Sequence, residues 1–339
     1  MKRQDILRAL GKGEPVERTL CLPITMMFAA DYAGHTYLDY ATKADVQCES
    51  QARLAETFEL DHVSVISDPS VEASDWGATV VYFEQQPPAI DERKPLLEEP
   101  ENLAKLTSPD PATGRRMSNR LEAVAGMRRR VGPDILVEGW VEGPCAEAAD
   151  LRGINTLMID FFDDEGFVQA LFARVVEVAI TFARRQIEAG ADIIGIGDAA
   201  ASLVGPDIYE TYVWPWEKRL VEAIHQAGGM PRLHICGNTN FALEAMGRLG
   251  CAVVDLDSMV DLDRARTAMP NQVISGNLDP VRLVQRASAR DVLEALQHRR
   301  DQAGTRYIAA AGCEIPRGTP TENLKAFSDF VRQPPAFVF

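Results

Sequence analysis

Pro231-Arg232-Leu233-His234-Ile235-Cys236-Gly237-Asn238 reads as a strand that stops at Gly237. His234 and Cys236 are two residues apart, so on a strand both side chains leave the same face. An imidazole and a thiol together at a strand end form half of a soft metal site. Cys313 offers the other half. It sits in Ala309-Ala310-Ala311-Gly312-Cys313-Glu314-Ile315-Pro316, a second strand running into a turn. Two thiolates and one imidazole suit Zn²⁺, and three protein ligands leave the fourth position open for chemistry. The plain alternative is packing, because cysteine is among the most buried residue types and is usually inert there.

Working outward, strands and helices alternate along the chain. Strands are predicted over residues 20–24, 61–68, 135–144, 191–198, the His-x-Cys stretch, 252–258, 273–280 and 306–313. Helices are predicted over 5–10, 45–58, 118–130, 165–189, 206–227, 241–249, 261–268, 289–302 and 322–331. Ser118 is expected to cap the third of these, and Pro215 to kink the fifth. Eight strands in this alternation predict an α/β fold, a (β/α)8 TIM barrel. The chain is read as one barrel domain over 1–339, with an N-terminal helical extension and an irregular, Pro-rich excursion at about 76–117. Tyr82 and Phe83 are placed in a small hairpin within it. A doubly wound open sheet is the alternative topology. No dinucleotide fingerprint or phosphate-cradling loop occurs. The strand ends carry Asp68, Glu142, Asp198, His234, Cys236, Asp257, Asn277, Asp279 and Cys313, and that face of such a barrel bears the active site.

Composition narrows the function. The chain has 339 residues, 46% of them hydrophobic, and a net charge of -15. That charge argues against nucleic acid, which needs a basic face. No run of transmembrane length and no signal-peptide core is found, so the protein is expected to be cytoplasmic with no membrane partner. The six cysteines are scattered and do not form a disulfide framework. The oligomeric state is left open, a homodimer being one option.

With the strands laid out, the chain resembles the uroporphyrinogen decarboxylase superfamily over nearly its whole length. The segments "GADIIGIGDAAASL", "LHICGN", "ISGNLDP" and "GCEIPRGTPTENL" carry the resemblance. Within the superfamily it looks like the zinc-dependent cobalamin methyltransferase branch. That branch implies zinc held by a His-x-Cys pair and a distant Cys, positions matched here by His234, Cys236 and Cys313. It also implies methylcobalamin, presented by a corrinoid protein, as co-substrate, and a small-molecule methyl acceptor or donor. Decarboxylases of the superfamily carry an Arg-rich loop after the first strand that clamps the porphyrinogen carboxylates. Residues 25–34 of this chain hold no Arg. An octacarboxylate without that clamp, on a strongly acidic protein, is physically poor.

The expected reaction is attack of a metal-bound thiolate on the methyl group of a methyl-Co(III) corrinoid, or the reverse half-reaction. A non-catalytic zinc-binding barrel is the alternative outside catalysis. Glu142 and Asp198 are candidates to orient substrate or add a fourth ligand; their ordinary role is to bond backbone at a crowded mouth. Asn277 and Asn238 are candidate hydrogen-bond donors to substrate, corrinoid or a ligand sulfur. Met27 and Trp140, with Met26, Phe28 and Tyr209, are candidates for an apolar corrinoid rim, or simply core. Glu314 adjoins a ligand and is a candidate to support it.

Overall fold

The computed structural model describes residues 1–14 and 16–333. Eight parallel strands form one sheet: β1 (Leu20–Cys21), β2 (His62–Ser64), β3 (Leu136–Glu142), β4 (Ile193–Gly197), β5 (Met230–Ile235), β6 (Val253–Leu256), β7 (Ile274–Leu278) and β8 (Tyr307–Ala311). Their order is β1-β8-β7-β6-β5-β4-β3-β2. The two end strands meet through Asp61. Its N–H donates to the Cys21 carbonyl (3.1 Å), and its carboxylate accepts from the Cys21 N–H (2.8 Å). The sheet is therefore a nearly closed barrel, with helices between the strands. This is the (β/α)8 fold expected from the alternation. Almost every strand residue is buried, as befits parallel strands covered on both faces.

The Arg3–Lys12 helix closes the bottom of the barrel. Its Ile6 and Leu10 pack on Leu20, Leu136, Ile193, Val253 and Ile308, at or near the starts of five strands. The Glu165–Ala189 helix has the bounds read from the sequence. It is long and apolar enough to cross a membrane by composition, yet most of its apolar window is buried against β3, β4 and the Trp214–Gln226 helix. In the 76–117 region, an antiparallel ribbon pairs Val80–Val81 with Ala89–Ile90, and Tyr82 and Phe83 lie in its connection.

Several local expectations are corrected. Ser118 is not a cap: its helix spans Arg115–Val131, with Gly114 at the N-cap. The capping oxygen comes from far away, Asp75, which accepts from the N–H groups of Arg116 and Met117. Pro215 does not kink a continuous helix. A wide π-turn over Tyr209–Val213 precedes it, and Pro215 falls in the first turn of the Trp214–Gln226 helix, where a missing N–H costs little. Short helices at Met27–Ala33, Tyr37–Thr42, Ser70–Trp76, Pro144–Arg152 and Ile154–Asp163 were not expected. All five lie on the connections after β1, β2 and β3, and each is too short to show a clear helical period.

One packing event shapes the mouth. The Trp140 indole lies flat against β4: a Cβ at Gly195 would sit 2.1 Å from its ring, and one at Gly197 would sit 3.0 Å away. The Gly195-Ile196-Gly197 run is thus a slot for a tryptophan on the neighbouring strand.

Candidate metal centre

β5 carries Arg232 and His234 inward, and the chain turns out of the strand at Cys236. Gly237 takes φ 94°, a left-handed conformation that releases the chain sharply after the cysteine. β8 ends at Ala311 and delivers Cys313 from across β6 and β7. Gly312 is required there, since a Cβ would lie 2.4 Å from the Ser258 nitrogen.

His234, Cys236 and Cys313 offer ligand atoms that all lie within 4.8 Å of one another. No other such group occurs among the described residues. His234 Nε2 is 2.9 Å from Cys236 Sγ and 3.8 Å from Cys313 Sγ, and the two sulfurs are 3.4 Å apart. Tetrahedral zinc with bonds of about 2.3 Å to sulfur and about 2.0 Å to nitrogen has edges of about 3.5–3.8 Å. The triad fits such an ion once the His234–Cys236 edge opens by about 0.6 Å and the other two edges shift by about 0.3–0.4 Å, and both cysteines are free thiols. The hydrogen bond from Cys236 and the nearby His234 hold Cys313 as a thiolate, its pKa lowered to about 4 against the effect of burial. The same contact raises Cys236. Burial disfavours a charged His234, but Asp255 and the Cys313 thiolate outweigh it and raise its pKa to about 10. Two thiols and one imidazole converging on one point form a donor set suited to a soft cation.

The other predicted residues fall at different distances from this centre. The Trp140 ring lies 6.1 Å from the His234 ring and walls one side of it. Glu142 is directed at Trp140, accepting from its Nε1 at 3.0 Å. Burial and the neighbouring Glu72 raise its pKa. Asp198 is buried beneath the Pro144–Arg152 helix and accepts from the Ala146 N–H at 2.6 Å. It serves that helix as a cap, and burial raises its pKa to about 7. Asn277 spends both amide hydrogens on the carbonyls of Asp257 and Val260, so it anchors the loop after β6 and does not donate into the mouth. Asn238 is exposed and bonded to Asn240, forming a local turn. Met27 and Met26 are partly buried, while Phe28 and Tyr209 are core. Glu314 accepts from the Met27 N–H at 2.6 Å and thereby ties the Cys313 loop to the loop after β1.

Sequence reasoning passed over the residues behind His234. Asp255 Oδ2 lies 3.3 Å from His234 Nδ1. Arg232 donates to Asp255 (2.8 Å), to Glu138 (3.0 Å) and to the Leu22 carbonyl (3.0 Å). A signal was present: each of these charges interrupts an otherwise apolar strand, in Leu-Val-Glu138, Pro-Arg232-Leu and Val-Val-Asp255.

Comparison with known proteins bears on the fold and the family. Residues 1–334 match the model of the family described as "Uroporphyrinogen decarboxylase (URO-D)". The methylcobamide:CoM methyltransferase MtbA of Methanosarcina mazei is 31% identical over 331 residues, covering 95% of this chain and 95% of that protein. A uroporphyrinogen decarboxylase of Prochlorococcus marinus is 26% identical over 345 residues, covering 96% and 95%. Among solved structures, a methyltransferase from Methanosarcina mazei superposes with TM-score 0.87 at 23% identity, covering 96% of both chains.

Proposed function

The chain belongs to the uroporphyrinogen decarboxylase (URO-D) family, and we propose that within it this protein is a methyltransferase acting between a corrinoid and a thiol. The observation that carries the reading is the convergence of His234, Cys236 and Cys313 at the strand ends of β5 and β8. Zn²⁺ bound there would supply a Lewis acid that holds an incoming thiol as its thiolate at neutral pH. The chain's own groups do the rest. Cys236 and Cys313 contribute anionic sulfur, which tempers the metal's charge and leaves the acceptor sulfur nucleophilic. His234 faces the two sulfurs through Nε2. Trp140 shields one flank of the site from water. In the net reaction the methyl group passes from methyl-Co(III) to sulfur, the electron pair of the Co–C bond stays on cobalt as Co(I), and the thiol proton leaves to solvent. The reverse half-reaction uses the same groups.

A protein-carried corrinoid fits the surface around the centre. Leu203, Met259 and Val281 are exposed on the segments after β4, β6 and β7. Tyr82 and Phe83 are exposed on the ribbon after β2, and Ile159 and Phe162 on a helix after β3. Among the described residues, Leu203, Met259 and Val281 thus lie just past strand C-terminal ends, on the face that bears the triad. Such a concentration marks a contact surface.

The test is anaerobic loss of methylcobalamin absorbance with a panel of thiols, alongside metal analysis. About one zinc per chain is expected, with thiol-dependent demethylation and none with tetrahydrofolate. Uroporphyrinogen serves as a control substrate, since residues 25–34, which include the Met27–Ala33 helix, hold no Arg to clamp carboxylates. Absence of zinc, or coproporphyrinogen formation without methyl transfer, would overturn the reading.

A further inference from the structure

We propose that Arg232 and Glu138 are positioning residues for the metal centre, acting through Asp255 to hold the His234 imidazole with Nε2 toward the metal. The inference rests on the metal reading above.

The arrangement follows from sheet register. His234 and Asp255 are partners on β5 and β6, so their side chains stand together on the inner face. His234 Nε2 is directed at the sulfurs, leaving Nδ1 for Asp255 at 3.3 Å. That contact is of ion-pair length, and among the described residues neither Nδ1 nor Asp255 Oδ1 has a hydrogen-bond partner. The orientation of Asp255 therefore decides whether Nδ1 keeps an acceptor. Arg232 sets that orientation: Nε grips Asp255, Nη1 grips Glu138 across the barrel, and Nη2 reaches the Leu22 carbonyl above β1. Glu138 in turn lies 3.6 Å from His62. Four strands meet in this one side chain.

Stability alone does not account for it. Arg232 and Glu138 are 1% and 0% exposed, and the interior of such a barrel is ordinarily filled by branched apolar residues. Buried ion pairs are often no better for stability than apolar residues of the same volume. A carboxylate behind a metal-bound histidine does have a known effect: it fixes the tautomer and raises ligand basicity, and its loss weakens metal binding about ten- to a hundredfold.

The experiment measures zinc affinity of the full chain by competition with a chromophoric chelator. Circular dichroism follows the fold, and the visible spectrum of the Co²⁺-substituted protein follows ligand geometry. Asp255→Asn is expected to weaken zinc binding about ten- to a hundredfold and alter the Co²⁺ spectrum. Glu138→Gln should produce a smaller loss in the same direction, at least about threefold. Asp160→Asn is the control. It disturbs a buried pair with Arg152 in a different part of the fold, and should leave zinc affinity unchanged. Folded Asp255→Asn and Glu138→Gln variants that bind zinc within about twofold of the parent would overturn the inference. If Asp255→Asn does not fold, Glu138→Gln decides by the same criterion. A parent chain that takes up no zinc sinks the metal reading itself, and this inference with it.

Discussion

Around Arg232 on β5 each buried anion meets a cation. Asp255 and Glu138 share Arg232. Burial pushes both carboxyls up, but Arg232 more than offsets it, and Asp255 ends at about 2. On the β2–β3–β4 side, Glu72, Glu142, Glu147 and Asp198 are equally buried, Asp150 beside them is partly exposed, and among the described residues none of the five forms an ion pair. Burial raises all five, Glu72 and Asp198 to about 7. The first side keeps full charges next to the candidate metal, where they act on a ligand. The second provides carboxyls that are largely protonated below neutral pH, able to donate as well as accept. One barrel mouth thus separates fixed charge from titrating acid, and the two sides should respond differently to substitution and to pH.

The largest effect is expected at the charged side. Cys313→Ala removes one of three protein ligands and the sulfur held as thiolate. Zinc should be lost or weakly held, and methyl transfer from methylcobalamin to thiol should fall by about a thousandfold, the scale seen when a main electrostatic contributor is removed. Metal content and demethylation rate of the single variant are the measurements. A Cys313→Ala protein that keeps both would remove the third ligand from the site.

At the titrating side the expected signature is in stability against pH. Glu72 ionises near its usual 4.5 in the unfolded chain but only near 7 when folded. Burial is the main cause, countered by the Glu142 N–H and reinforced by Asp68 and Asp75. Between those values the folded form holds the extra proton. The stability Glu72 contributes is therefore complete below about 4.5 and is lost as pH rises through about 7. Glu72→Gln cannot ionise and still offers an oxygen to the Glu142 N–H. It should flatten the decline by up to about 1.4 kcal/mol per pH unit. Urea midpoints at intervals from pH 5 to about 8 measure it. An unchanged slope would mean that Glu72 is ionised throughout, and the contrast between the two sides would shrink.

How far the sequence disclosed this contrast depended on the reach of each interaction. His234, Cys236 and Cys313 were legible because strand ends and residue chemistry are local properties. The alternation that defines the barrel, and the Glu165–Ala189 helix, were legible from hydrophobic period over long windows. What was hidden depends on pairing between strands. Asp255 meets His234 only through the β5–β6 register, and Trp140 explains Gly195 and Gly197 only once β3 lies beside β4. Asp75 caps a helix that begins forty residues later, beyond any local capping rule. Asn277 was read as a donor to substrate because an amide at a strand end offers that chemistry, but the backbone of a neighbouring loop claims both its amide hydrogens; Asn238 only accepts, from Asn240.

The smallest effect separates a ligand cysteine from a packing one. Cys251 precedes β6 and is buried, like Cys21 and Cys145, with no imidazole or second thiol to pair with. Burial raises its pKa, so it stays a neutral thiol, and its main-chain carbonyl, not its sulfur, accepts from Gln272. Cys251→Ala removes one polarizable atom and keeps that backbone bond. It should cost about 1 kcal/mol of stability, with zinc content and methyl transfer unchanged. The comparison with Cys313→Ala is sharp because both residues are cysteines in the same half of the barrel, one in contact with His234 and one not. If Cys251→Ala lost the metal while Cys313→Ala kept it, the ligand set would be wrong, and the convergence of β5 and β8 at the mouth would lose its chemical meaning.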